Sequence, residues 1–210
     1  MTKKSYLMKN NSLEKLIDEI ATWPGIGKKT AQKLAIFLVQ REKSKNLTYF
    51  QLFNDAILNL KSCKVCNTIS ENEICEICIN QNRDSTKLCI VEKPEDLNAI
   101  ETTNQYNGKY FIFYNDLDLR KELFQSKKNQ KFNQLLNLIK DNNVDEVILA
   151  LNPTLEGEIL SKLIINNIKN QNILITKLAI GLSLGSNINY VDKHTLITSF
   201  RNRRKEEECL

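Results

Sequence analysis

Four cysteines in two close pairs constrain the fold of this chain more than any other feature. They read Cys63-x2-Cys66 and Cys75-x2-Cys78, with residues 67–74 between the pairs. This spacing is typical of a tetrahedral site in which four thiolates surround one zinc ion at about 2.3 Å. Two disulfides, or four separate core cysteines, are the alternatives. A shell of four thiolates leaves no position for water, so the pattern predicts one structural Zn²⁺ per chain.

The length and composition fit a globular protein made of one good-sized domain and smaller modules. The chain has 210 residues, of which 41% are hydrophobic, and no apolar run approaches the roughly 20 residues of a membrane span. The polar N-terminus lacks the apolar core of a signal peptide. We therefore expect a cytoplasmic protein without a membrane partner. Of the two remaining cysteines, Cys89 lies in an apolar run and is expected in the core, whereas Cys209 has no predicted role.

The charge of the chain leans mildly towards polyanionic partners. Lysine and arginine number 30 against 25 acidic residues, for a net charge of +5. The first fifth of the chain is especially basic. Its cationic residues include Lys3, Lys4, Lys9, Lys28, Lys29, Lys33, Arg41, Lys43 and Lys45. A solvated helix face is the alternative interpretation of such a run, so charge alone does not establish nucleic-acid binding.

Hydrophobic periodicity predicts a helical module followed by an α/β domain. Three amphipathic helices precede the cysteines, and the third is expected to begin at Thr48, with Gln51 completing a capping box. After the cysteines, apolar strands alternate with helices, which favours a parallel sheet with right-handed crossovers. The predicted strands are 88–91, 110–114, 147–151 and 173–179. The predicted helices between and after them are 94–101, one around 132–139, 155–169 and about 195–205.

A glycine-rich corner separates the first two helices and is a candidate phosphate-binding site. It reads Trp23-Pro-Gly-Ile-Gly27 and is followed by Lys28-Lys-Thr30, which opens a helix. Glycines allow close approach of a ligand to the backbone, and free amides at a helix N-terminus favour an anion. The candidate DNA contacts are Gly25, Gly27, Lys28, Lys29 and Lys33. A plain helix–turn–helix corner explains the glycine spacing equally well.

These motifs together resemble the RecR family of bacterial recombination mediators. Residues 16–38 resemble the helix-hairpin-helix of DNA repair proteins, and the order of hairpin, four-cysteine zinc finger and α/β domain is that of the family. The resemblance covers almost the whole chain, including the strings 89–92, 151–158 and 181–192. It implies a helix-hairpin-helix module at 1–60, a zinc finger at 61–80, a Toprim domain at 86–183 and a C-terminal segment at 184–210.

The Toprim resemblance brings a specific departure from catalytic members of that fold. Active members carry a glutamate after the first strand and an Asp-x-Asp pair later, which together hold Mg²⁺. Here Glu92, Glu156 and Glu158 remain, but the aspartate positions hold Asn152 and Thr154. The loss of both charges predicts a protein that is not an enzyme. A Mg²⁺-dependent nuclease, primase or topoisomerase-like enzyme is the alternative. Asp116 and Asp118 also form an Asp-x-Asp pair, for which a polar loop is the favoured interpretation.

The resemblance implies a function in recombinational DNA repair. We expect a DNA-binding mediator that acts with RecO, and possibly RecF, to promote RecA loading on single-stranded DNA in the RecBC-independent pathway. A homo-oligomer (a dimer or a tetrameric ring) and a nucleoid-associated location are implied too. Glu156 and Glu158 are candidates for a partner-binding surface.

The chain departs from the family at two further segments. Residues 115–130 contain no glycine or proline. Residues 180–186 lack the basic residue that starts the family's string and the second of the two adjacent glycines that end it. We therefore carry no family contact over to these two segments.

Three residues near the end of the sequence have structural interpretations. His194 is expected at the surface, Tyr190 in packing and Asp192 as a helix cap.

Overall fold

The computed structural model describes residues 11–113, 130–169, 172–203 and 205. The chain divides into two compact units, Met1–Asn59 and Leu60–Leu210. The candidate loop 115–129 with Asp116 and Asp118, the lysines before residue 10, and Cys209 lie outside the described residues. No helix in the described part of the chain is long and apolar enough to cross a membrane.

The described residues of the first unit form three helices, of which two pack closely. They are α1 (Asn11–Ile20), α2 (Lys28–Gln40) and α3 (Lys43–Asn59). Ile17 and Ile20 of α1 are buried against Ala31 and Ala35 of α2. The small alanine side chains let the two helices approach closely, so the core of this unit is a helix–corner–helix pair.

Helix α3 begins five residues earlier than the sequence pattern predicts. The expected cap, Thr48, lies inside the helix and donates a hydrogen bond from its hydroxyl to the Ser44 carbonyl, four residues back. The capping box at Thr48 and Gln51 is therefore wrong. Residues 43–47 contain neither glycine nor proline, so nothing in them stops the helix from starting at Lys43.

The second unit opens with the cysteine loops. Strands β1 (Lys61–Ser62) and β2 (Ile69–Ser70) pair antiparallel, and a short helix α4 (Glu76–Ile79) follows. The first cysteine pair comes directly after β1. Cys75 immediately precedes α4, and Cys78 lies within it. Both pairs therefore sit where the chain turns sharply.

A four-stranded parallel sheet forms the centre of this unit, as the alternating pattern predicts. Its order is β4-β3-β5-β6. The strands are β3 (Asp84–Val91), β4 (Gly108–Ile112), β5 (Glu146–Ala150) and β6 (Leu174–Lys177). In register, Val91 lies opposite both Ile112 and Ala150. The carboxyl ends of the three strands therefore meet at one edge of the sheet.

Helices cover both faces of the sheet because side chains alternate along β3 and β4. Leu88 and Ile90 point into a core with α6 and α7, whereas Cys89 and Val91 point to the opposite face, against α5. The helices are α5 (Pro94–Glu101), α6 (Gln130–Asp141) and α7 (Leu155–Ile168). The predicted core location of Cys89 is confirmed.

The last elements among the described residues are a 3-10 turn, Ile188–Tyr190, and helix α8 (Lys193–Arg201). Asp192 is the predicted cap, since its carboxylate accepts a hydrogen bond from the Thr195 amide at 2.9 Å. The expected packing role of Tyr190 is wrong, because its side chain is almost fully exposed. His194 is exposed, as expected.

Candidate functional sites

The four cysteines converge on one point. Their sulfur atoms all lie within 4.8 Å of one another, and Cys66 Sγ and Cys75 Sγ are 3.5 Å apart. A tetrahedral shell with Zn–S bonds of about 2.3 Å requires sulfur separations of about 3.8 Å. Three of the four cysteines are buried, and all are free thiols. The cluster therefore fits one structural zinc ion with no open coordination position.

The backbone of the first loop is folded to bring its sulfurs together. Asn67, just after the first pair, has φ of 67°, a left-handed conformation that asparagine tolerates. Its amide donates to the Cys63 carbonyl at 3.0 Å, closing a turn around the pair. The Cys75 amide donates to Cys63 Sγ at 3.3 Å, so the second loop supports a thiolate of the first.

The close packing of the thiols shifts their pKa values in opposite directions. The hydrogen bond from Cys66 lowers the pKa of Cys63, whereas the hydrogen bond with Cys63 raises the pKa of Cys78. Four thiols at these distances cannot all ionise beside one another without a compensating charge. A coordinated divalent ion supplies that charge, and coordinated thiols are fully deprotonated.

The zinc loops are attached to the edge of the sheet by hydrogen bonds to their backbone. Lys109 Nζ, on β4, donates to the carbonyls of Ile77, Cys78 and Asn80 at 2.8, 3.0 and 2.7 Å. The Ile112 amide, at the end of the same strand, donates to the Cys66 carbonyl at 2.8 Å. Both cysteine pairs are therefore fixed to β4.

The glycine corner presents free backbone amides next to lysines. Gly25 has φ of 77°, which favours glycine, and Gly27 is the extended residue that precedes α2. The amides of Thr30 and Ala31 are the first to donate within the helix, to the Gly27 carbonyl at 2.9 and 3.0 Å. The amides of Lys28 and Lys29 precede these bonds and are available to an external acceptor.

The three candidate lysines differ in their surroundings. Lys28 Nζ lies 3.2 Å from Asp18 Oδ1 on α1, and both side chains are largely exposed. Lys29 and Lys33 are exposed, with no ion pair among the described residues. Part of the Lys28 charge is therefore balanced within the protein, while Lys29 and Lys33 keep theirs.

At the carboxyl edge of the sheet, Glu92 accepts hydrogen bonds from Asn152, which stands at a position where active Toprim members carry an aspartate. The Glu92 side chain is only 4% exposed. One of its carboxylate oxygens accepts from the Asn152 amide at 2.7 Å, and the other accepts from Asn152 Nδ2 at 3.0 Å. An aspartate at this position would place a second carboxylate against Glu92, and the repulsion between them is relieved only by a cation or by protonation of one carboxyl. Asparagine removes that requirement by donating hydrogen bonds.

The turn after Asn152 is closely packed around this pair. A Cβ on Gly157 would lie 2.0 Å from the Asn152 carbonyl oxygen and 2.9 Å from Glu92 Oε1. Thr154, the second replaced aspartate, caps α7 by accepting from the Gly157 amide at 3.1 Å. Both replacements therefore serve the local structure of the turn.

The two candidate partner residues lie on the first turn of α7 but have different environments. Glu156 is exposed. Glu158 is half-exposed and forms an ion pair with Lys177 of β6, and the hydrogen bond from Lys177 lowers the pKa of Glu158. Glu156 therefore offers the more accessible negative charge.

Sequence reasoning missed several residues that shape these sites. Lys109 stands in an ordinary strand pattern, and its role depends on a contact across 29–32 residues. The bond between Glu92 and Asn152 spans 60 residues. The sequence did contain two signals for these contacts. Lys109 is a lysine in an otherwise buried strand, and Asn152 is an amide at a position where active Toprim members carry an aspartate.

Comparison with known proteins matches each part of the chain in turn. The helix-hairpin-helix model of RecR matches residues 13–55, and the RecR model of a zinc finger with four cysteines matches residues 60–80. The Toprim domain model matches residues 86–179, and the C-terminal model of RecR matches residues 181–204.

Two full-length relatives are both named "Recombination protein RecR". The one from Francisella tularensis subsp. mediasiatica is 35% identical over 207 residues, which cover 97% of this chain and 98% of the relative. The one from Dehalococcoides mccartyi is 34% identical over 193 residues, which cover 92% and 94%.

Replacing a cysteine of the cluster should remove the zinc and destabilise the second unit. For Cys66→Ser we expect loss of stoichiometric zinc and a fall in the free energy of unfolding on the order of several kcal/mol, because the ligand shell contributes directly to folding. Zinc content by atomic absorption and a denaturant titration measure the two effects. Cys89→Ala, a buried cysteine outside the cluster, should keep one zinc per chain. Full zinc in Cys66→Ser would contradict the assignment.

Proposed function

The chain belongs to the RecR family of recombination proteins, and on that premise we propose that it is a DNA-binding mediator of recombinational repair. It would promote RecA loading on single-stranded DNA together with RecO, and possibly RecF, in the RecBC-independent pathway. The family assignment supports the mediator role. The partner proteins RecO and RecF and the RecA-loading step go beyond the family assignment and are proposals.

The glycine corner carries the DNA-binding part of the proposal. It combines unpaired amides of Lys28 and Lys29 with the exposed charges of Lys29 and Lys33, on a corner where Gly25 and Gly27 lack side chains. Such a site contacts phosphates and not base edges, so binding would be independent of sequence. This role implies a cytoplasmic, nucleoid-associated location.

The Toprim edge supports a binding role in place of phosphoryl transfer. A metal-dependent reaction needs several carboxylates around the cation. Here Asn152 and Thr154 are neutral, and Asn152 occupies both oxygens of Glu92. The Mg²⁺-dependent enzyme is therefore the weaker hypothesis, and we propose that this edge binds a protein.

Charge reversal at the corner should weaken DNA binding and reduce its salt dependence. For Lys29→Glu combined with Lys33→Glu, the log–log slope of affinity against salt should fall by about 0.7 per lost contact on single strands and about 0.9 on duplex. Fluorescence anisotropy of a labelled oligonucleotide over a salt series measures this slope. Lys140→Glu, an exposed lysine on α6, is the control and should leave the slope unchanged. An unaltered slope in the double variant would remove the corner from the DNA site.

We assign the RecO-binding surface to the first turn of α7. Glu156 is exposed there and Glu158 is half-exposed, at the edge of the sheet where the Asn152 turn is held rigidly by Glu92. Two carboxylates on a fixed turn suit a basic partner surface.

Glu156→Lys should weaken the complex with RecO about tenfold or more, because it places a like charge against the partner. Isothermal titration with purified RecO measures the affinity, and stimulation of RecA filament assembly on protein-coated single strands measures the function. Asp141→Lys changes an exposed acidic residue at the end of α6, at the opposite edge of the sheet, and is the matched control. Equal RecO affinity for the Glu156 variant and the native chain would rule out this surface.

An exposed stripe on α3 supports a homo-oligomer, in the form of a dimer or a tetrameric ring. Leu47, Phe50, Ile57 and Leu58 lie within about 100° of one another around the helix, at about 3.6 residues per turn. All four are exposed, with Ile57 at 75%. Large apolar side chains grouped in this way mark an interaction surface. Among RecR-like chains the expected occupant is a second copy.

Ile57→Glu should dissociate the oligomer by placing a charge in this interface. Sedimentation velocity at several concentrations gives the assembly state, and we expect the variant to shift towards monomer by about tenfold or more in dissociation constant. Asp55→Lys, on the same helix and outside the stripe, should keep the native assembly. A native chain that is monomeric at all concentrations, or a variant that associates normally, would contradict the assignment.

A further inference from the structure

The glycine corner carries an exposed tryptophan that its phosphate contacts do not use. Trp23 is the only tryptophan of the chain, and its side chain is 47% exposed. Its carbonyl accepts a hydrogen bond from the Ile26 amide at 3.1 Å, which closes a turn over Pro24 and Gly25. The ends of such a turn lie within about 7 Å of each other. The backbone of Trp23 is therefore fixed close to that of Ile26, two residues before α2 begins.

The indole already has one aromatic neighbour within the protein. The Trp23 and Phe53 rings have centroids 6.1 Å apart, at an angle of 45°. Contact with α3 restrains the Trp23 side chain, so less conformational entropy would be lost when a ligand stacks on it. The exposed part of the ring remains available.

Further exposed rings lie near Phe53 in the first unit. Tyr49 precedes Phe53 by four residues and therefore lies on the same face of α3, about 6 Å along the helix axis. The Arg41 guanidinium lies between two rings, 4.4 Å from the centre of Tyr49 and 5.7 Å from that of Phe37. We call Trp23, Phe53, Tyr49, Phe37 and Arg41 the aromatic row. Its four rings are all exposed, and it includes one cation.

We propose that the aromatic row binds the bases of single-stranded DNA, with Trp23 stacking on the base next to the phosphate held at the glycine corner. This inference rests on the proposed DNA-binding function and adds a strand preference to it. Exposed rings in the same unit as free backbone amides and the charges of Lys29 and Lys33 match a ligand with aromatic bases and an anionic backbone. Duplex DNA keeps its bases paired inside the helix, so it can reach the corner but not the row.

The aromatic row borders the apolar stripe that we assign to self-association. By the rotation of about 100° per residue of a helix, Tyr49 lies opposite Leu47 and Leu58, whereas Phe53 lies next to Ile57, one turn away. A second copy of the chain could bind the aromatic row in place of DNA. It would then cover Trp23 and make the indole inaccessible to solvent.

Native tryptophan fluorescence tests the proposal directly, because every photon of tryptophan emission comes from Trp23. In the free chain, acrylamide should quench the emission efficiently. Saturation with oligo(dT) should quench it further through stacking, whereas a duplex of equal length should leave it nearly unchanged. A labelled oligonucleotide followed by anisotropy in the same sample reports binding independently of the tryptophan.

Substitutions separate stacking from phosphate binding. Trp23→Leu should weaken single-strand binding about tenfold and leave duplex affinity and the salt slope unchanged. Trp23→Phe should retain most of the single-strand affinity. Phe200→Leu, which removes an exposed aromatic ring from the second unit, should have no effect.

The outcomes distinguish this inference from the proposed function. Oligonucleotide binding with unchanged Trp23 emission, native affinity in Trp23→Leu, or an indole that acrylamide cannot reach would each overturn the stacking proposal alone. Absence of anisotropy change with either DNA would overturn DNA binding, and the stacking proposal with it. The fluorescence measurement uses the native chain, so it is decisive even if Trp23→Leu misfolds.

Discussion

The hydrogen bonds between the buried Glu92 carboxylate and Asn152 join the carboxyl ends of β3 and β5, the two central strands of the sheet. A buried carboxylate is costly unless its oxygens are satisfied, and here one residue satisfies both. The same turn places Gly157 against Glu92, where no larger residue fits, and starts α7 with Thr154 as its cap. An edge that holds a metal in catalytic relatives of the fold is thus stabilised by neutral donors. The exposed glutamates on α7 are presented from a rigid support.

The zinc loops depend on the sheet as much as on their metal. Four thiolates fix the two loops to each other, but Lys109 and Ile112 fix them to β4. Gln134 on α6 adds a bond from its amide to the Lys64 carbonyl at 2.7 Å. Because these contacts go to backbone carbonyls beside the cysteines, loss of the metal would also weaken the hydrogen bonds that hold β4 to the loops. The first unit has no such covalent or metal constraint among its described residues; its helix pair relies on the close contact of Ala31 and Ala35 with α1.

Local patterns in the sequence predicted the elements that local physics controls. The cysteine spacing predicted the metal cluster, the apolar runs predicted the parallel strands, and Asp192 was recognised as a cap. The prediction at Thr48 failed for a local reason, because this residue has the composition of a cap but lies within a helix that begins five residues earlier. Contacts between distant residues were not foreseen. The candidate DNA contact Lys28, for example, pairs with Asp18 on the preceding helix. The contacts of Lys109 and Asn152 link residues far apart in sequence, and a single sequence contains no periodicity that reveals them.

Strand order gives the cysteine loops a second consequence. In the order β4-β3-β5-β6, strand β4 is an outermost strand, and outermost strands carry hydrogen-bonding groups that can recruit strands from other molecules. Cys66 occupies the Ile112 amide at the end of that strand, and the Lys109 side chain is tied to the loops beside it. The opposite margin, β6, has only four residues, which limits any such pairing. The metal loops thus occupy a backbone donor at the end of β4 that a strand from another molecule would otherwise use.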